Sequence, residues 1–323
     1  MLNPPQPERI KRGNSIRPIL AFLSLLIIAV SATTAFANPP QGTPRKIVSD
    51  DFTKNRKETA PATATNKTTQ GSTTSSAALR QRPTRRTYRL ASQPVVRRRP
   101  SSTAVVAQLG ITIWRLRPAD GSDVGGRALI REKKNQWMAE RVEGDTTFRE
   151  GDHVRISVES PRAGYLYVVD RDLFSDGTTG GAMLIYPWSD ADNQMRPGRL
   201  VDIPAQEDDP SYFTARLTSA NQVGELLTFI VTSTPLDLPI SDKPFQIATG
   251  QMRNWEKVWG GESERFEMEG GAGEAWTQQE QQAAVKKGTR QLTRDDPAPQ
   301  TIYRVSTTDN KALLVNVRLR YAK

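Results

Sequence analysis

Apolar residues alternate with polar ones over several short stretches of this chain. The run "HVRISVES" (153–160) sets Val154, Ile156 and Val158 on one face and Arg155, Ser157 and Glu159 on the other, the period of two that a half-buried β-strand shows. The last apolar stretch, "ALLVNVRLRYA" (312–322), does the same, with Leu313, Val315, Val317 and Leu319 opposite Asn316, Arg318 and Arg320. "YLYVVD" (165–170) is apolar on both faces and predicts a central strand covered on both sides. Further strand-type runs are "ITIWRL" (111–116), "AMLIYPW" (182–188, stopped by Pro187), "YFTARL" (212–217), "ELLTFIVTS" (225–233) and "TIYRVST" (301–307). Many short strands divided by Gly, Pro and Asp turns predict a mainly β fold, an antiparallel β-sandwich.

One or two accessory helices are predicted to interrupt the series. "EAWTQQEQQAAVKK" (274–287) is rich in helix formers and stops at Gly288. Within 239–259, Ser241-Asp242 reads as a cap with Pro244 in the first turn. Between them, "WGGESERFEMEGGAGEAW" (259–276) reads as a flexible acidic loop, with Glu264, Glu267 and Glu269 in solvent. No internal repeat is present.

Before about residue 108 the pattern disappears. Met1–Ala37 reads as an export signal. Arg9, Lys11, Arg12 and Arg17 precede the uncharged run Ile19–Val30, and Ala35-Phe36-Ala37 places small residues where a signal peptidase cuts, between Ala37 and Asn38. An uncleaved membrane anchor is the alternative. The apolar run is short for a span of ~20 residues. Export to the periplasm or beyond the cell is therefore expected. Residues 38–107 are rich in Thr, Ser, Pro and Arg and hold few large apolar side chains. Such a segment buries too little surface to offset the entropy of ordering, and it reads as a disordered linker. The fold is then expected over 108–323.

Charge sharpens this division. The net charge is +10, yet residues 38–106 hold fourteen basic against three acidic side chains, and residues 107–323 hold twenty-seven against thirty-one. The basicity belongs to the linker. Arg80, Arg82, Arg85, Arg86, Arg89, Arg97, Arg98 and Arg99 form a cationic strip that either spaces the fold from its attachment or adheres to a polyanion: anionic lipid, cell-wall polymer or extracellular nucleic acid. No specific nucleic-acid recognition is implied.

Candidate chemistry is sparse. There is no cysteine, which removes disulfides, thiolate nucleophiles and cysteine zinc sites. The lone histidine, His153, opens an alternating strand and reads as a surface residue. No G-x-S-x-G, phosphate-loop or dinucleotide pattern occurs. Asp170, Asp172 and Asp176 are spaced wrongly for a calcium loop: Phe174, Ser175 and Gly181 occupy the fifth, sixth and twelfth positions. "SDGTTGG" reads instead as a hairpin turn, with Asp170 and Asp172 solvated beside it, Asp-Gly supplying the positive φ. A weak calcium site completed by Asp190 and Asp192 is the lesser alternative. Glu207-Asp208-Asp209 is the densest acidic cluster and the place where paired carboxylates could hydrolyse a glycan. Trp114, Trp137, Trp188, Trp255, Trp259 and Trp276 could stack on sugars, though tryptophans more often fill cores. No metal and no cofactor is implied.

The stretch "FREGDHVRISVESPRAGYLYVVDRD" followed by "AMLIYPWSDADNQMRPGRLVDIP" resembles the bacterial domain of unknown function DUF4384 over roughly 145–235. The likeness rests on Gly151-Asp152, Gly164 to Val168, Leu184 to Pro187, and Asn193, Gly198 and Pro204. It implies a fold and a secreted or signalling context, not a reaction. The expected role is a non-catalytic exported module that binds an unidentified protein or envelope polymer. The alternative is a cell-wall glycan hydrolase working through loop carboxylates.

Overall fold

A computed structural model describes residues 46–58, 87–91, 105–120, 129–132, 135–188, 191–284, 291–307 and 312–322. The chain runs through α1 (Lys46–Thr53), β1 (Tyr88–Leu90), β2 (Val105–Pro118), β3 (Leu129–Glu132), β4 (Asn135–Val142) and β5 (Thr147–Phe148). It continues through β6 (His153–Glu159), β7 (Gly164–Asp170), β8 (Asp172–Phe174), β9 (Ala182–Tyr186), β10 (Gln194–Met195), β11 (Leu200–Ile203) and β12 (Phe213–Thr214). It ends with β13 (Gln222–Thr232), β14 (Phe245–Ile247), α2 (Thr249–Trp259), β15 (Glu262–Met268), α3 (Gln278–Ala284), β16 (Thr301–Thr307) and β17 (Ala312–Tyr321).

Two sheets face each other, so the fold is the mainly β sandwich with accessory helices that the alternation predicts. The first sheet follows the order β1-β15-β16-β2-β4-β3, with β6 also on β2 and with β11 and β12 on β6. The second follows β14-β9-β7-β13-β17-β5, with β10 on β7 and β8 on β13. The pairings are antiparallel except β17 with β5.

The core between the sheets takes Ile111, Ile113, Val154, Ile156 and Val158 from the first sheet. From the second it takes Leu166, Val168, Phe229, Val315, Val317 and Leu319. Asn316, Arg318 and Arg320 are exposed, as their alternation requires. β7 is covered on both faces: Tyr167 and Val169 meet Met252 and Trp255 of α2 on the far side.

Several expectations are corrected. The linker read as disordered over 38–107 contains two folded pieces, and β2 begins at Val105 within it. α1 and β1 pack Phe52 and Tyr88 against Phe266, Met268 and Ile302 on the outer face of the first sheet, and β1 adds a strand to β15. Arg56 explains why this short segment docks. Its guanidinium forms a two-pronged pair with Glu159 (2.7 and 2.6 Å) and donates to the carbonyls of Thr293, Asp296 and Pro297. The "loop" over 259–276 contains the seven-residue strand β15, in which Phe266, Glu267 and Met268 are buried.

Both helices start later than predicted. α3 begins after Thr277, whose hydroxyl accepts from the Glu280 backbone N–H while Glu280 accepts from the Thr277 N–H, a capping box overlooked in "TQQE". Glu274 to Trp276 are tied to β4 instead, through the Arg141 and Trp276 backbone N–H groups. α2 begins at Thr249, and Ser241 to Pro244 precede β14. The strand expected over 212–217 is confined to Phe213–Thr214.

Candidate functional site

The strand β6 alternates as read, but its polar face is not wet. Arg155, Ser157 and Glu159 are all buried. Glu159 takes Arg56. Ser157 donates to Asp202 of β11 (2.5 Å) and accepts from Trp114 Nε1 (2.8 Å). Arg155 donates to Asp202 (3.2 Å) and to the Pro204 carbonyl, and its Nη1 has no hydrogen-bond partner among the described residues. Above this face Arg155 lies over the Trp276 ring and Arg141 over the Trp114 ring, at 5.0 and 5.2 Å. The two indoles are 6.2 Å apart, and Arg141 also pairs with buried Glu280. Burial is the largest influence on both members of the central pair. It raises the Asp202 carboxyl against the opposing pull of Arg155 and the Ser157 hydroxyl. It lowers Arg155 against Asp202.

Asp202 also borders open space. A cleft of about 240 Å³ lies between the end of β9, the turn after it, β11 and its following loop, and Ala284 of α3. Tyr186 and Trp188 line it at 6.4 Å, edge to face. Both rings are held. Tyr186 donates its hydroxyl proton to the Asp192 carbonyl (3.1 Å), and Trp188 donates Nε1–H to Asp208 (3.2 Å). Asp208 also accepts from the Ala205 backbone N–H (2.8 Å). Asp192 pairs with Arg199 (2.9 Å), whose guanidinium donates further to the carbonyls of Gln194 and Asp192. Glu207 completes the acidic wall from an exposed position.

The expected site residues scatter. Arg89 is in β1 and pairs with Glu143 at 2.8 Å rather than belonging to a free strip. Arg80, Arg82, Arg85, Arg86, Arg97, Arg98 and Arg99, and the cleavage pair Ala37 and Asn38, lie outside the described residues. Asp208 and Glu207 come into the cleft, where Trp188 joins them. The other tryptophans pack. Trp114 and Trp276 are buried, and Trp255 is buried under a stacked Trp259 (5.4 Å). Trp137 stands edge-on to His153. His153 itself stacks on Tyr212 (4.1 Å), with Thr214 Oγ1 3.3 Å from Nδ1.

The aspartate loop is a tight turn: Phe174 N–H donates to the Thr178 carbonyl, and Gly177 has φ 82°. Asp176 caps it by accepting from Thr178 N–H and Oγ1–H, which lowers its pKa. The expectation that Asp170 and Asp172 are solvated is corrected. Both are half-buried, and Asp172 accepts from Gln222 (2.8 Å). Burial, then Glu225 and Asp172, push the Asp170 carboxyl up to about 8. Asp192, weighed as a further calcium ligand, is instead paired with Arg199; Asp190 lies outside the described residues. Among the described residues no group of His, Asp and Glu has the arrangement of a metal site.

Sequence reading reached Glu207-Asp208 but not Tyr186, Arg199 or Asp202. The available signal was the aromatic pair flanking Pro187, about twenty residues before the acid run. Comparison with known protein families, with curated proteins and with solved structures finds no match for this chain.

Proposed function

We propose that this chain is an exported, non-catalytic binding module of the cell envelope or the secreted space, with the Tyr186–Trp188 cleft as its ligand site. The carrying observation is how the cleft's carboxylates are used. Asp208 holds the Trp188 indole and a backbone N–H, Asp192 holds Arg199, and Asp202 is tied to Ser157 and Arg155. They fix the shape of an aromatic-walled recess, which suits recognition. A signal-like N-terminus and the likeness of roughly 145–235 to DUF4384 domains support the context. The basic linker is proposed to add unspecific adhesion to polyanions.

A cell-wall glycan hydrolase is the second reading, favoured by the raised pKa of Asp202 beside Glu207 and Asp208. Against it, Asp202 is 5 % exposed and its two oxygens already accept hydrogen bonds. The two readings separate on the mature protein carrying Asp202→Asn, Glu207→Ala and Asp208→Asn singly. A binder retains an envelope component in pull-down, loses it with Trp188→Ala, and releases no reducing sugar from cell wall. Sugar release by the unaltered protein that any one carboxylate change abolishes sinks the binding reading.

A further inference from the structure

We propose that the Tyr186–Trp188 cleft takes a basic side chain, the guanidinium or ammonium of an arginine or lysine on a partner peptide; this rests on the cleft being the binding site. Size comes first. At about 240 Å³ the cleft is smaller than the roughly 300–1,000 Å³ of ordinary small-molecule pockets. It suits one side chain or one ring, not an extended ligand.

Charge comes next. Four carboxylates line the cleft, those of Asp192, Asp202, Glu207 and Asp208, against one cation, Arg199. Arg199 is spent on Asp192. Arg155 offsets Asp202 from the buried side and, more weakly, Asp208 and Glu207. Asp208 is hydrogen-bonded but not ion-paired, and Glu207 has neither a hydrogen-bond nor an ion-pair partner among the described residues. With four carboxylates against the guanidinium groups of Arg199 and Arg155, the recess still carries net negative charge, which repels anionic groups and raises the local concentration of cations.

The aromatic wall points the same way. Trp188 uses its donor edge on Asp208. What remains for a ligand is the indole π-face, the negative side of the ring quadrupole and the strongest cation–π acceptor among side chains. Leu200, Val201 and Ala205 add apolar wall suited to the methylene stem of a long basic side chain. A neutral sugar would use the stacking surface but leave the carboxylate excess without a counter-charge.

The test uses the full mature chain, labelled with nitrogen-15, and follows the Trp188 indole N–H, assigned by its loss in Trp188→Phe. The probes are acetyl-Gly-Arg-Gly-amide, its lysine counterpart, the neutral citrulline counterpart, and N-acetylglucosamine. The arginine and lysine peptides shift the resonance, and citrulline binds roughly tenfold more weakly. Glu207→Gln, at an exposed position that leaves the fold intact, weakens the arginine peptide about threefold. Equal binding of the citrulline peptide, preference for the sugar, or no shift with either basic peptide overturns the proposal. A pull-down with Trp188→Ala separates the two levels. If an envelope component is retained through Trp188 while basic peptides do not bind, the basic ligand falls and the binding module stands. If neither is seen, both fall.

Discussion

Asp170 sits at the end of a central strand with one oxygen buried and, among the described residues, without a hydrogen bond. Arg171, its chain neighbour, lowers its pKa slightly but directs its guanidinium to Glu256 and Thr228. Glu225, itself hydrogen-bonded to Tyr321, and Asp172 crowd Asp170 with like charge. The folded pKa of about 8 exceeds the ordinary 3.8, so the folded chain holds this proton more tightly than the unfolded chain does. Stability contributed by the protonated carboxyl is complete below about 4 and is lost as pH rises to about 8. Asp170→Asn removes that loss. Urea midpoints measured from about pH 5 to about pH 9 fall less steeply for Asp170→Asn than for the unaltered protein, and the variant is the more stable one at the alkaline end. Asp176→Asn, at the exposed turn tip, leaves the slope in this window as it is. A slope unchanged by Asp170→Asn contradicts the assignment.

At the scale of elements, the segment from α1 to Glu58 behaves as a strap rather than a tether. Phe52 fills the outer face beside Gly110, where an added Cβ would fall 2.6 Å from the Phe52 ring and 2.4 Å from Pro299. Tyr88 is fully buried and donates its hydroxyl proton to the Pro299 carbonyl. Arg56 and Glu159 are each about 1 % exposed at the side chain, so each depends on the other. Removing one member of such a pair leaves a buried charge, at a cost of about 3–5 kcal/mol. Arg56→Met is therefore expected to lose roughly that much in urea unfolding, and Arg56→Met with Glu159→Met together to lose less. Equal losses in the single and double variants rule out the pair as the anchor. A chain beginning at Gln108 lacks the strap, and it is expected to unfold or aggregate because Phe266, Met268 and Ile302 lose their cover.

For the whole molecule, the proposed division of labour puts adhesion in the basic segment and recognition in the cleft. Intact mass of the exported protein should show a mature start at Asn38; a retained Met1 argues for the anchor instead. Because the strap is part of the fold, the basic segment is tested by substitution rather than truncation. Arg→Gln changes are made at 80, 82, 85, 86, 97, 98 and 99, and Arg89, which pairs with Glu143, is left in place. The unaltered mature protein is expected to bind anionic vesicles at low salt and to release them as salt rises, since exposed charges are screened beyond about 10 Å at 0.1 M. The substituted protein is expected not to bind. Binding that ignores either salt or the substitutions makes the segment a spacer.

What the sequence determined by itself is local. A period of two in 153–160 and 312–322, apolar residues on both sides of 165–170 and Asp-Gly at 176–177 each dictate a strand, a buried strand or a turn. They do so because backbone geometry alone sets those periods and φ values. Fold class followed from counting such elements. What the tertiary structure decided is whether a polar face meets water or another layer. Arg155, Ser157 and Glu159 look solvent-facing in the strand they belong to. They are buried because Arg56, about a hundred residues earlier in the chain, and Asp202, over forty later, arrive with matching charge. The same holds for Glu267, which reads as a loop acid and is buried against the Thr301 hydroxyl and the Gly144 backbone N–H. The cleft is of this second kind. Tyr186 and Trp188 end one strand and overrun it, and Asp202 belongs to the other sheet. Their meeting depends on how the sandwich closes, which no window of the sequence encodes.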